Sequence, residues 1–461
     1  MLVAAPIVAP PVVQRRSLIL LTLCLGVLIA QVDTSVVNLA LRPIGEGLGI
    51  GIAPLQWVVD GYNLTYALFL LTGGLLADLY GRRRIFIGGV LVFSAGCLIC
   101  GLSANAATLI FGRIVAGLGA AMLQPASLAI LRVVWTDIRE RGHALGIWAG
   151  CNGLAFAIGP TIGGLLIRGF GWRSVFLVVL PFGIAAVVLA SRHVPESADR
   201  AGRHGDLLGQ ILAAIALGGL ALASIEAHER PLVSAVALPL AIMAAALFIV
   251  AERLHGEGAL VPPGLFGKPA FTGAIAATAA MTFGMYGLLF LLPMSWQESG
   301  DAPLSAVAAG LAMMPGALIF VAISRHSGTL TERFGARVTT AGGTAVIGIG
   351  LLVAALTTSG RPIWLAELGL VLTGIGMGIN TGPLMGVGVA AVPAARSGTA
   401  SSLINVARMV GATLGVAMLG ALYVLLGGGP TGFTAALAIG GLVQLMGAAT
   451  AWATVPDTAL H

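Results

Sequence analysis

Residues 74–84 read GLLADLYGRRR, and residues 328–338 read GTLTERFGARV. Gly74, Leu76, Asp78, Gly81 and Arg83 recur as Gly328, Leu330, Glu332, Gly335 and Arg337, an offset of 254 positions (74 to 328). Two further pairs stand at similar offsets. GLGAAMLQP (117–125) resembles GIGMGINTGP (374–383), and RERGHA (139–144) resembles AARSGTA (394–400). A period this long implies that the chain is built from two like halves, each a full structural unit.

The composition says what kind of unit. Of 461 residues, 58% are hydrophobic and only 9% charged, and the mean hydropathy is +1.00. Soluble domains carry about 25% charged residues, so these few charges cannot cover a water-facing surface. An all-α integral membrane protein follows, with each span needing about 20 apolar residues. Apolar runs lie at 17–38, 57–77, 85–104, 108–131, 143–167, 174–191, 206–225, 232–251, 270–293, 305–323, 337–357, 363–383, 399–425 and 431–454. That is fourteen spans. Two six-helix halves, 17–191 and 270–454, leave 206–251 as two extra central helices. The ends, 1–16 and 455–461, would be tails outside the spans. The first run continues to about Asn38, too long for a cleaved signal segment.

Basic residues orient the spans. Seventeen fall in loops on one side, among them Arg15, Arg16, Arg82, Arg83, Arg84, Arg200, Arg203, Arg325 and Arg396. Five fall on the other side: Arg42, Arg168, Arg173, Arg230 and Arg361. The positive-inside bias then sets both termini in the cytoplasm of a multi-pass protein of the cell inner (plasma) membrane. The same bias accounts for the net charge of +6 without nucleic acid. Cys24, Cys97, Cys100 and Cys151 all sit inside apolar runs, and no His lies near the CxxC of 97–100. They read as small core residues, not a metal or redox site.

Several stretches carry more than packing. In CNGLAFAIGPTIGG (151–164), Gly and Pro stand inside an apolar run, although Gly costs roughly 1 kcal/mol and Pro roughly 3 kcal/mol in a helix interior. Gly146, Gly150, Gly153, Ala157, Pro160 and Gly164 recur at steps of 4, 3, 4, 3 and 4, on one helical stripe. Such a stripe lets another helix approach backbone to backbone, and the Pro bends the span. In RIVAGLGAAMLQP (113–125), Arg113, Gly117, Ala120 and Gln124 share a face. An Arg inside a span costs about 2.5–3.5 kcal/mol, so it should meet water or an acid. Three acids fall inside spans: Asp33, Asp60 and Glu367. A mid-membrane acid that alternates between wet and dry surroundings can take up and release a proton. Asp33 is the deepest. Trp57, Asp60 and Asn63 stand three apart, so an aromatic and an acid can face one pocket, although Asp60 also reads as a helix-start residue. Arg408 shares a face with Ser401, Asn405 and Ala412, and reads either as a cavity residue or as half of a structural pair. Met281, Phe283, Met285, Tyr286 and Phe290 read either as an adaptable cavity wall or as lipid-facing filler.

With these residues in place, the sequence resembles the major facilitator superfamily, and within it the fourteen-span drug:proton antiporters of multidrug efflux type. Four motifs carry the resemblance: VDTSVVNLALRP (32–43), GGLLADLYGRRR (73–84), RIVAGLGAAMLQP (113–125) and the glycine stripe with G-P-x-x-G-G (159–164). Departures are Arg42, where the family places Pro, Leu79, where Arg is common, and Ala155, where the longer motif has Gly. The resemblance implies alternating access between the halves. It implies proton coupling at Asp33, Asp60 and Arg113. Gly74, Asp78, Gly81, Arg82 and Arg83 would form a gating loop, unless they are a basic anchor alone. Gly146, Gly150, Gly153, Gly159, Pro160, Gly163 and Gly164 would form an antiporter motif, with generic small-residue packing as the plainer reading. A substrate cavity would include Trp57, Asn63, Gln124, Asn405 and Arg408. The implied function is export of small amphipathic or cationic molecules in exchange for protons by a monomer, driven by the proton gradient with no cofactor and no metal. A proton-coupled importer or a dedicated metabolite exporter of the same fold fits these motifs too. A membrane-embedded enzyme fits worse, since no His cluster shares one depth. No G-x-x-x-x-G-K-[ST] occurs, which argues against ATP-driven transport.

Overall fold

The computed structural model describes residues 12–198, 206–255, 263–298, 303–357, 363–393 and 396–457. The expected tails 1–11 and 458–461, Ala394 and Ala395 of the repeated loop, and Arg200, Arg203 and Arg361 of the charge tally lie outside them.

Helices make up the described chain. The first half holds α1 (Val12–Leu48), α2 (Ile52–Tyr80), α3 (Arg82–Leu102), α4 (Ala106–Val134), α5 (Ile138–Phe170), α6 (Ser174–Leu177) and α7 (Val179–His193). Between the halves come α8 (Leu207–Ile225), α9 (Pro231–His255) and the short α10 (Pro263–Phe266). The second half holds α11 (Pro269–Glu298), α12 (Ala306–Ser324), α13 (Ser327–Phe334), α14 (Ala336–Ala355), α15 (Trp364–Ala390), α16 (Ser397–Leu425) and α17 (Gly429–Thr454). Each of the fourteen expected runs carries helix. Among the described residues twelve helices are long and apolar enough to cross a membrane, and α5, taken whole across its bend, would be a thirteenth. The remaining one, α2, is 29 residues long but diluted by Gln56, Asp60, Asn63 and Asp78. Span one also runs further than expected. Arg42 pairs with Glu46 one turn on at 2.7 Å, and the helix continues through Pro43 to Leu48.

Small residues bring the helices together. A Cβ on Gly119 would strike the backbone of Phe93, joining α4 to α3, and one on Gly376 would strike the carbonyl of Gly343, joining α15 to α14. Between membrane helices the surrounding lipid is as apolar as Leu, so close backbone approach and dispersion do the work. These two pairs occupy equivalent places in the two halves, as the repeat requires.

The repeat also extends to segments the sequence reading passed over. Gly81 and Gly335, both at positive φ (109° and 84°), turn the chain between α2 and α3 and between α13 and α14. Arg83 Nη1 donates to the carbonyl of Val194 at 3.2 Å, and Arg337 Nε donates to the carbonyl of Val455 at 2.9 Å. The two acceptors begin VPE (194–196) and VPD (455–457). Glu196 lies against Gly81 and accepts the backbone N–H of Arg83 at 3.1 Å, and Asp457 lies against Gly335. Each half thus ties its basic turn to the end of its own last helix. The repeat fails at one position. Asp78 is buried and bonded to Arg82, whereas Glu332 is exposed.

The halves meet along three helix pairs at the end away from these turns. Gln297 Nε2 on α11 donates to the carbonyl of Leu39 on α1 at 3.4 Å. Gln56 Nε2 on α2 donates to the carbonyls of Val416 and Ala417 on α16 at 3.0 and 3.1 Å. On α5, Gly164 packs on the backbone of Ala306 and Val307, and Pro160 presents its carbonyl to Gly310, both contacts with α12. Toward the basic end α5 and α12 splay apart, whereas Leu71 of α2 still packs beside Ala400 and Leu403 of α16. The described ends of the chain, α1 at its start and α17 at its finish, both lie at that basic end.

Candidate functional site

The splayed helices enclose a cavity of about 1880 Å³ between the halves, with Asp78, Arg82, Arg132, Arg325 and Arg396 among its lining residues near the basic end. Ligand pockets commonly hold about 300–1,000 Å³, so a small molecule would share this one with water. Its wall is contributed by facing stripes. On α1, Gln31, Ser35 and Asn38 line it at i, i+4 and i+7. Opposite stand Met281, Met285, Tyr286, Met377, Met385 and Phe320. The polar stripe on α1 was present in the sequence as three polar residues at helical spacing in an apolar helix, and it was passed over beside Asp33. Of the five α11 residues weighed as a cavity wall, Met281, Met285 and Tyr286 line the cavity, whereas Phe283 and Phe290 are buried in the core.

The glycine stripe of α5 records the taper of the cavity. Gly164 is tight against α12, with Ala306 O and Val307 Cα 2.8 Å from where a Cβ would stand. At Gly153 the nearest atom is a Val321 methyl at 3.0 Å. At Gly150 and Gly146 nothing lies within 4 Å. Gly159 and Gly163 face the other way, against Ser35 and Val36 of α1. The glycines of α5 therefore pack two partners, α12 of the other half through the stripe and α1 of its own half through Gly159 and Gly163.

Asp33 and Arg113 meet, as an Arg inside a span requires. Arg113 Nη1 donates to Asp33 Oδ2 at 2.6 Å, its Nε donates to the carbonyl of Val58 at 2.9 Å, and its guanidinium lies 4.4 Å from the Tyr62 ring centre. Both side chains are fully enclosed, 1% and 0% exposed. A charge pair removed from water holds together only when hydrogen bonds satisfy both partners, and this one is so satisfied. Neither residue lines the cavity. Asp33 stands two residues from Gln31, about 200° round the helix, so α1 turns its acid to α4 and its amide to the cavity. Gln124, on the stripe of Arg113, does line the cavity. Higher up, Gly117 is pressed on the Tyr62 carbonyl and α4 is sealed against α2.

The expectation that Trp57, Asp60 and Asn63 share one pocket is not met. None of them lines the cavity. Trp57 packs with Ala53, Ala221, Ile225 and Ala417. Asp60 and Asn63 are buried, at 0% and 1% exposure, and neither Asp60 oxygen has a hydrogen-bond partner. Steps of three residues precess around the helix, so equal spacing did not make one face. Asn405 and Arg408 do line the cavity, and Glu367 does not. Asp78 accepts from Arg82 Nη2 at 2.8 Å at the mouth, beside Gly74. Cys97 Sγ lies 4.0 Å from Asp33 Oδ1, and among the described residues no group of His, Cys, Asp and Glu could hold a metal ion.

Comparison with known proteins agrees with this architecture. The family model described as Major Facilitator Superfamily matches residues 23–416. A relative named multidrug resistance protein Stp, from Mycobacterium tuberculosis (strain CDC 1551), is 36% identical over 410 residues, 88% of this chain and 76% of its own. The methylenomycin A resistance protein of Bacillus subtilis is 34% identical over 87% of this chain and 86% of its own, and the cephamycin export protein CmcT of Amycolatopsis lactamdurans is 35% identical over 90% and 86%. Among solved structures, the peptide transporter POT superposes with a TM-score of 0.72 at 17% identity, covering 94% of each chain. At that identity the likeness speaks to the fold.

Proposed function

The chain belongs to the Major Facilitator Superfamily of membrane transporters, and on that premise we propose that it exports small amphipathic compounds in exchange for protons by alternating access. The carrying observation is the one-ended cavity, sealed at α1–α11, α2–α16 and α5–α12 and open at the basic end. By the positive-inside bias the open end faces the cytoplasm, so the structure corresponds to the loading state, with both chain ends on the cytoplasmic side of the plasma membrane. The names of the relatives, a multidrug resistance protein, an antibiotic resistance protein and an antibiotic export protein, support outward transport of drug-like compounds. A monomer is enough for this cycle, since both halves reside in one chain, and the proton gradient supplies the energy without a cofactor.

Asp33 and Asp60 are the groups we assign to proton coupling. Asp33 holds Arg113 in the inward-open arrangement, and a proton arriving at its carboxyl would release the guanidinium from its partner. Asp60 sits without a partner in the α2 segment that carries Gln56, the residue closing the outer end. A buried carboxyl with no donor is tolerated far better neutral than charged, so taking up and losing its proton is coupled to closing and opening of that seam. Asp78 and Arg82 act as the loop latch at the mouth.

The test uses everted membrane vesicles with an inside-acid gradient, followed by a quenched pH dye. Compounds that make the wild type release protons, and leave Asp33→Asn silent, support antiport through Asp33. Substrate accumulation in right-side-out vesicles under an inward proton gradient, with no response in everted ones, would make the protein an importer.

A further inference from the structure

The charge inside the cavity is the reverse of what two intramembrane acids suggest. Asp33 and Asp60 lie outside its lining. Two acids do line it: Asp78 pairs with Arg82 at 2.8 Å, and Asp206 caps α8, one oxygen accepting from the Gly209 N–H at 2.8 Å and the other without a hydrogen-bond partner. Against them stand Arg82, Arg132, Arg325, Arg396 and Arg408. Four of these arginines lie near the mouth, where the bias of loop charge accounts for them.

Arg408 has no such account. It lies twelve residues, about 18 Å of helix rise, beyond Arg396, and eight residues short of the seal at Val416. Arg113, fully buried, has a carboxylate, a carbonyl and an aromatic face, whereas Arg408 is only half-buried and faces the cavity. No carboxylate pairs with Arg408 among the described residues, and its Nε is buried with no hydrogen-bond partner. The phenols of Tyr66 and Tyr286 interact with its charge. Both tyrosines line the cavity, and both can donate to an acceptor placed before Arg408. One turn away, Asn405 donates to the Ser401 carbonyl at 3.0 Å. A guanidinium that faces the cavity with no carboxylate beside it is open to an incoming anion, and charge-assisted hydrogen bonds to an oxyanion are the strongest it can make. Around it, Met281, Met285, Met377 and Phe320 offer a polarizable apolar surface that adapts to varied shapes.

We propose that this cavity takes amphipathic organic anions, with Arg408 receiving a carboxylate, phenolate or sulfonate head group and the Met- and Phe-lined wall receiving the apolar body. The proposal deepens the reading of the cavity as a transport path and rests on it. It replaces the expectation of cationic substrates, whose acidic residues the fold directs elsewhere.

The test compares probes that share one body. 8-Anilinonaphthalene-1-sulfonate and N-phenyl-1-naphthylamine differ by a single sulfonate, and ethidium supplies an aromatic cation. Binding of each to the full-length protein in nanodiscs of zwitterionic lipid is measured for wild type, Arg408→Ala and Arg408→Lys. The sulfonate should bind wild type more tightly than the other two. Arg408→Ala should weaken it about tenfold, Arg408→Lys should restore part of the loss, and the neutral probe should change less than twofold in either variant. Retained binding of the neutral probe also shows that the variants are folded. Equal loss of both probes on Arg408→Ala, no sulfonate binding by wild type, or tighter binding of ethidium than of the sulfonate overturns the proposal. Uptake of the same probes by energised everted vesicles separates the two readings. Arg408-dependent sulfonate binding without uptake keeps the anion site and removes export, whereas ethidium uptake without sulfonate binding keeps export and removes the anion site.

Discussion

Alanine at Gly164 should perturb the protein where alanine at Gly150 does not, though both substitutions lie on one stripe of one helix. At Gly164 the new methyl would lie 2.8 Å from Ala306 O and Val307 Cα, backbone atoms that no rotamer change can move. Ordinary contact begins near 3.4 Å, so α5 and α12 must part by several tenths of an ångström at the seal. Overpacking of this kind costs about 1–3 kcal/mol. The gain of up to about 1 kcal/mol in helix propensity is common to both sites, so the difference between the variants is the packing cost alone. If it falls on the sealed end, which the outward-open state does not need, the balance of states moves away from inward-open by roughly five- to 150-fold. Gly150→Ala meets nothing within 4 Å and leaves that balance in place. A cysteine placed at Ala317 in the cavity wall, in protein whose native cysteines are replaced by alanine, reports the state through its maleimide labelling rate. Gly164→Ala should lower the rate and the melting temperature, and Gly150→Ala should leave both near wild type. Equal rates and equal melting for the two variants would refute the assignment of sealed and open ends.

The buried pair makes a second prediction. Arg113→Ala leaves Asp33 enclosed without its partner and should destabilise the purified protein by about 3–5 kcal/mol, read as a large fall in thermal midpoint, whereas exposed Arg84→Ala should lie within about 0.5 kcal/mol of wild type. Asp60→Leu removes two unpartnered buried oxygens and should raise the melting temperature by an amount matching about 1–3 kcal/mol while abolishing proton release in everted vesicles; a stability loss would mean that Asp60 has a partner in this state. Glu196→Ala frees the basic turn of the first half, and should cost about 1 kcal/mol and increase hydrogen exchange at Gly81–Arg84 without affecting Gly335–Arg337.

Much of this architecture could be read from residue order alone, because its causes are periodic or local. The run lengths reflect bilayer thickness, the matched GLLADLYGRRR and GTLTERFGARV reflect the two-fold build, and an Arg inside a span called for water or an acid, a need that Asp33 meets in the fold. What stayed hidden depends on which helix stands opposite. Helical spacing places Gln31, Ser35 and Asn38 on one face of α1 and Asp33 on another, yet it does not say which face meets water. Only the packing of α4 against α1 and α2 turns Asp33 and Asp60 away from the cavity and leaves Arg408 to define its charge. The VPE and VPD segments escaped notice for a different reason. Three residues are too few to register as a repeat until the arginines that bond their valine carbonyls are seen in space.

The central pair of helices contacts both halves, and the chemistry of the two contacts differs. Gln210 of α8 donates to the carbonyl of Leu68 and to the hydroxyl of Thr72, both on α2. Toward α16 the same helix offers Ala221 and Ile225, packed with Ala417. Hydrogen bonds are directional and fix a register, whereas contacts between methyl groups survive a slide of an ångström or two with little change in energy. In the proposed cycle the added helices would therefore be anchored to one moving part and glide on the other, like a rail bolted to a single carriage. The chain would carry them as passengers of its first half, without having to break and remake polar contacts each time the halves rock.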